Sequence, residues 1–234
     1  MTKPEGKIKR LAVFDWNGTL FDDIEATHIA TNACLDFFGK PPITREIEQE
    51  NFTFPLIHFY EKMGVPANEY LEKAEEAGHV FIETYNYNKA ECGLAKNTIE
   101  ILKWLNDQDV TCIILSNLLQ PVLNDDVKHF EIGEYFHTVS GNEDPATIVQ
   151  GLSKQKRLEE FFKRENFLPE NSFIIGDSHE EAEIAHRLNM MGISISGGLL
   201  SASCLEKYKK DYVINCLTEL PDILIKEWNL NPFQ

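Results

Sequence analysis

Apolar residues collect in six short runs along the chain: IKRLAVFD (8–15), VTCIILSN (110–117), FHTVSG (136–141), SFIIGD (172–177), MGISIS (191–196) and DYVINC (211–216). Each has the length of a buried strand. Between most of them lie amphipathic segments: KNTIEILKWLNDQ, PVLNDDVKHFEI, SKQKRLEEFFKRENF, SHEEAEIAHRLN and LTELPDILIKEW. Strands alternating with helices predict an α/β fold, a doubly wound, mostly parallel sheet covered on both faces. In TIEILKWL, the spacing of Ile99, Leu102 and Leu105, with Ile101 beside them, predicts the apolar stripe that packs on such a sheet.

The alternation is interrupted once. From Asp22 to about Glu91 the patterning is helical only, through DDIEATHIATNACLDFFG, FPLIHFYEKMG and NEYLEKAEEAGHVFIETYNYN. Roughly seventy residues are far more than a helical crossover needs. The chain therefore predicts a core from residues 1–20 and 92–234 and an inserted helical subdomain over 21–91.

Composition narrows the class. A length of 234 residues with 43% hydrophobic and 26% charged positions suits a soluble globular protein of one domain, with or without an insertion. A net charge of −16 argues against nucleic acid as a partner, since phosphate contacts need clustered Lys and Arg. It also requires that any phosphate site be made positive locally. No apolar run approaches a membrane span, and the N-terminus MTKPEGKIKR lacks the apolar core of a signal peptide, so the expectation is a cytoplasmic protein, monomer or homodimer. The five cysteines are scattered without C-x-x-C spacing, which predicts reduced thiols.

In open parallel sheets, ligands bind beyond the carboxyl ends of the strands. Those ends here read Asp15, Ser116-Asn117 and Gly176-Asp177. The segments carrying them resemble the haloacid dehalogenase superfamily, in the branch of the phosphoglycolate phosphatases. DWNGTLFDD is similar to its first motif, D-x-D-G-T, and IILSN to the second; SKQKRLEEFF resembles the third and IIGDSHEEAEIA the acidic fourth, in the right order. The resemblance implies a Rossmann-like core with a helical cap over 21–91 and a magnesium-dependent phosphatase acting on a small phosphorylated metabolite.

Carried over residue by residue, it makes Asp15 the nucleophile of an aspartyl-phosphate mechanism. Gly18 turns the backbone, while Thr19, Ser116 and Asn117 face the phosphate; Asn117 has the alternative of capping the following turn. Lys154, preferred over Lys156 for its spacing to Leu158 and Asp177, holds Asp15 ionised and offsets phosphoryl charge. Mg2+ falls to Asp15, the Asn17 carbonyl and Asp177. Glu181 is either a ligand through water or an acid favoured by a helix N-terminus.

Asn17 departs from the family's pattern, which has an aspartate there to protonate the leaving group. An amide cannot, and general acid–base catalysis is typically worth ~10²–10⁴-fold. Three readings follow: a phosphatase selective for leaving groups that need little protonation; phosphonoacetaldehyde-hydrolase-like C–P cleavage, with Lys40 or Lys62 as the required Schiff-base lysine; or a weakly active phosphate-binding regulatory module. In the first reading Asn17→Asp, nearly isosteric, is expected to raise alkyl-phosphate turnover.

Overall fold

The computed structural model describes residues 8–53, 55–143, 153–209 and 211–233, with Ser153 as backbone only. The first seven residues, which carry most of the polar N-terminal segment, lie outside that range, as does Phe54 of the second helical pattern.

All six apolar runs form strands of one parallel sheet: β1 (Arg10–Phe14), β4 (Val110–Leu119), β5 (Thr138–Asn142), β6 (Ser172–Gly176), β7 (Met191–Ile195) and β8 (Tyr212–Ile214). A two-residue strand pair, β2 (Phe21–Asp22) and β3 (Gly93–Leu94), stands apart from it. The order β5-β4-β1-β6-β7-β8 puts β1 at the centre. The strand order reverses beside it, which opens a crevice at the carboxyl ends of β1 and β6.

Alternation along the strands builds two cores. Ala12, Phe14, Cys112, Ile114, Phe173 and Ile175 face one side, and Leu11, Val13, Ile113, Leu115 and Ile174 the other. The first side is covered by α6 (Thr98–Asp107), α7 (Gln120–His129) and α11 (Leu220–Trp228), the second by α8 (Ser153–Glu165) and α9 (His179–Leu188). Burial on both faces explains why the strands read as nearly continuous apolar runs.

In α6 the stripe is not the predicted one. Ile99 is 36% exposed, whereas Thr98, Ile101, Leu102 and Leu105 are buried. At 100° per residue, Thr98, Ile101, Leu102 and Leu105 share one face and Ile99 falls about 100° off it.

Between β2 and β3 the chain is helical: α1 (Ile24–Phe37), α2 (Arg45–Asn51), α3 (Leu56–Lys62), α4 (Ala67–Glu72) and α5 (Ala74–Lys89). These helices share a core of their own, with Cys34, Leu35, Phe38, Phe59, Tyr60, Val65 and Ala77 buried together. The segment expected as one helix from Asn68 is broken at Lys73, and α2 and α10 (Ala202–Tyr208) were not legible from apolar spacing. The segment docks on the core through α2: Arg45 donates to the Gly197 carbonyl at 2.7 Å and Gln49 to that of Gly198 at 2.9 Å.

All five cysteines are free, and no helix among the described residues is long and apolar enough to cross a membrane.

Candidate active site

Asp15 follows directly on β1, with its amide bonded to the Ile175 carbonyl of β6 (3.0 Å). A tight turn comes next. The Trp16 carbonyl accepts from the amides of Thr19, Leu20 and Phe21 at 3.2, 3.0 and 2.9 Å. Gly18 takes φ +67°, and a Cβ there would lie 2.1 Å from Asp177 Oδ2, so glycine is required by conformation and by space. A Cβ on Gly198 would meet the same oxygen at 2.1 Å. Asp177, just after β6, thus lies against two glycine backbones.

Lys154, in the first turn of α8, is 1% exposed. Its Nζ lies 3.1 Å from Asp15 Oδ1, 2.5 Å from Glu181 Oε1 and 3.6 Å from Glu180 Oε2. Against its own burial, Asp15, Glu181 and Glu180 hold the ammonium well above its ordinary range, so it is charged at neutral pH. Lys156 is exposed on the same helix.

Of its two expected places Glu181 takes the second, an acid at a helix N-terminus. It is buried in the first turn of α9 with both oxygens engaged, Oε1 by Lys154 and Oε2 by the Ser178 hydroxyl at 2.8 Å. Despite its burial, Lys154 holds this carboxyl below its ordinary range. It serves as the lysine's counter-ion. Asn117 is likewise turned away from a phosphate-facing role, since its Nδ2 donates to Glu180 Oε2 at 2.7 Å. Nor does it cap the next turn, because β4 runs through it and α7 starts after Leu119.

Ser116 is 2% exposed, and its hydroxyl accepts from the Leu118 amide at 3.1 Å. The Thr19 hydroxyl is buried and has no hydrogen-bond partner among the described residues. Such an orphan costs free energy unless something polar satisfies it.

Asp177 is 1% exposed and accepts from the Leu199 amide at 2.8 Å. No Lys, Arg or His among the described residues pairs with it. Burial, and then the charge of Asp15, push its carboxyl well above the ordinary range. Burial also pushes Asp15 up to about 7, against the pull of Lys154 and with the push of Glu181. A buried acid raised by the charge of its neighbour calls for a further positive charge. Among the described residues no three His, Cys, Asp or Glu side chains gather as a cage. The donors at hand, the carboxylates of Asp15 and Asp177, are hard oxygens of the kind that suit Mg2+ with retained waters.

Several residues without a sequence signal belong to this region. Arg157 donates to the carbonyls of Ser116 (2.7 Å), Ser140 (2.8 Å) and Gly141 (2.7 Å), tying together the carboxyl ends of β4 and β5. Asp126 of α7 takes both a bidentate ion pair from Lys89 of α5, at 2.7 Å to each oxygen, and the Trp16 indole N–H at 3.2 Å. Asp23, just before α1, is 1% exposed and faces Asn17. The Arg157 and Asp126 partnerships span elements that only the tertiary fold brings together.

A strand-end aspartate ion-paired to a buried lysine, with a second acid at the end of the neighbouring strand, makes this crevice the candidate active site of an α/β protein. The model of the haloacid dehalogenase-like hydrolases matches residues 12–195. The chain belongs to that family. It resembles phosphoglycolate phosphatase 1 of Pseudomonas aeruginosa, 22% identical over 97% of this chain and 86% of the relative, and phosphoglycolate phosphatase of Pseudomonas fluorescens, 24% identical over 92% and 79%. Among solved structures, a haloacid dehalogenase-like hydrolase from Streptococcus pneumoniae superposes with a TM-score of 0.74 at 20% identity, covering 92% of this chain and 98% of that one. A structure described as a predicted phosphatase from Clostridium acetobutylicum gives 0.70 at 20% identity, covering 94% and 100%.

Proposed function

We propose that the chain is a phosphatase of small phosphate esters that works through an aspartyl-phosphate on Asp15. The observation that carries this reading is the buried Asp15–Lys154–Glu181 array, with Lys154 Nζ 3.1 Å from the attacking carboxylate and 2.5 Å from its own counter-ion. Glu181 fixes the lysine, so its charge is positioned before substrate binds. The phosphoglycolate phosphatases among its relatives support a small phosphorylated metabolite as substrate.

Asp15 attacks phosphorus as the ester P–O bond breaks, and the departing oxygen takes its proton from water or from the substrate, because Asn17 has none to give. Water then hydrolyses the Asp15 acyl phosphate to inorganic phosphate and the free carboxylate. Lys154 offsets charge on the transferring group, and the Thr19 and Ser116 hydroxyls donate to its oxygens. Mg2+ would be held by Asp15, Asp177 and the Asn17 carbonyl, supplying positive charge where the phosphate oxygens converge. The helices between β2 and β3 serve as a cap over 21–91 that excludes water and selects substrate.

The C–P cleavage alternative finds no support in its lysines. Lys40 follows the far end of α1, a 14-residue helix that carries it about 20 Å from Asp23. Lys62 donates to the Asn51 carbonyl at 3.1 Å on the exposed end of α3. Turnover of a phosphate-ester panel tests the phosphatase reading: it is expected with Mg2+ and is abolished by EDTA and by Asp15→Asn. Metal-independent turnover, or an undiminished Asp15→Asn enzyme, overturns it.

A further inference from the structure

The amide of Asn17 is held by a buried network. Its Nδ2 donates to Asp23 Oδ2 at 2.7 Å and lies 3.1 Å from the Tyr85 hydroxyl. That hydroxyl gives its own proton to the same Asp23 oxygen at 2.6 Å. The Gly18 amide donates to Asp23 Oδ1 at 2.9 Å. Asp23 stands at the start of α1 and Tyr85 on α5, so the network joins the turn after Asp15 to two helices of the cap.

We propose that Asn17, Asp23 and Tyr85 form one positioning unit in which the Asp23 carboxylate requires an amide at position 17. An ionised carboxylate only accepts, and a tyrosine that donates to it has only a lone pair left for Asn17. Asn17 must therefore present N–H to both, and its amide cannot flip. Oδ1 is left as the end with no partner among the described residues, in a side chain that stays half-buried two residues after Asp15. There it accepts a hydrogen bond from the water that attacks the Asp15 phosphate, orienting that water without taking its proton. The carboxylate and the amide of the unit are thus matched partners, and changing one alone breaks the match. On this reading Asn17→Asp alone does not act as a simple free acid, because it would set a second carboxyl 2.7 Å from the buried Asp23, and the two would have to share a proton.

The orienting role rests on the phosphatase reading, whereas the matching of the pair does not. The experiment is an exchange cycle of Asn17→Asp, Asp23→Asn and the double variant, with Tyr85→Phe beside it. Thermal midpoints are read without metal. Asn17→Asp is expected to lower the midpoint by more than about 4 °C and the double variant to recover most of the loss. If Asn17→Asp does not fold, recovery of a folded protein on adding Asp23→Asn is the same result. Additive shifts, or a double variant no better than the worse single one, overturn the pairing. In turnover, Tyr85→Phe is expected to lower kcat by about 10-fold or more with kcat/KM within about twofold and with the phospho-enzyme accumulating, because only hydrolysis of the intermediate is slowed. An unchanged kcat, or a fall in kcat/KM as large as that in kcat, overturns the orienting role. If the wild type turns over no ester, the phosphatase reading and the orienting role fail together, and the midpoints alone decide the pairing.

Discussion

Lys154 Nζ lies 3.1 Å from Asp15 Oδ1 in a pocket where the lysine is 1% exposed, so the charge state of each residue depends on the other. Removing the lysine strands two buried acids, Asp15 and Glu181. Lys154→Met is expected to cost about 3–5 kcal/mol of stability, the scale for breaking a buried ion pair from one side. Denaturant unfolding measures it, and a loss under about 1 kcal/mol would show that the array is not coupled as described.

The raised affinity of Asp15 for its proton has a pH signature. A carboxyl that binds its proton more tightly folded than unfolded favours the folded state below its ordinary range, and that contribution is lost as pH rises to about 7. In EDTA, the melting midpoint of Asp15→Asn is therefore expected to gain on the wild type between about pH 4 and 7, then run parallel to it. Mg2+ should stabilise the wild type more at about pH 8 than at about pH 5. A gap between the two proteins that ignores pH would sink the assignment.

Gly198 and Gly18 both hem in Asp177. Gly198→Ala puts a methyl group 2.1 Å from Asp177 Oδ2 and 2.4 Å from its Cβ, so the acid must move. The folded protein is expected to survive with a lowered midpoint, while the midpoint rise on adding Mg2+ is lost. An unchanged Mg2+ response would remove Asp177 from the metal site.

Lys89 and Asp126 tie α5 to α7 beside the Trp16 indole, with side chains 16% and 12% exposed. Lys89→Met leaves the carboxylate with the indole N–H alone and is expected to cost about 1–3 kcal/mol. Differential hydrogen exchange of α5 against α7 checks it; loosening confined to the substituted residue would refute the tie.

With Asn17 unable to protonate a leaving group, rates are expected to follow leaving-group acidity steeply. Aryl and acyl phosphates should exceed alkyl phosphates by an amount approaching ~10²–10⁴-fold. A flat series of kcat/KM across leaving groups would mean that the proton comes from another group in the site.

The sheet was legible because its inner strands are buried on both faces and read as runs of apolar residues. Charged α2 was not: in REIEQEN only Glu48 is buried, so the helix has no apolar stripe to betray it. Ile99 misled because a stripe can be drawn through it, and only the helix start at Thr98 fixes which face turns inward. Asp15, Lys154 and Asp177 stood out as polar residues at strand ends or at a telling spacing. Asp23 lay within the DWNGTLFDD segment without a role, since its partner Tyr85 is 62 residues away and nothing local to either predicts that α5 brings them together.

The β2–β3 pair carries one more consequence. Phe21 is paired with Leu94 and Asp22 with Gly93, so the segment carrying all five helices leaves and returns one strand spacing apart, about 5 Å. A two-residue hairpin spans that gap as well as seventy residues do. The pairing at these two rungs is therefore indifferent to the length of what is strung between Asp22 and Gly93, and it is side-chain ties such as Arg45 to Gly197 and Lys89 to Asp126, not the backbone connection, that seat this particular segment on the core.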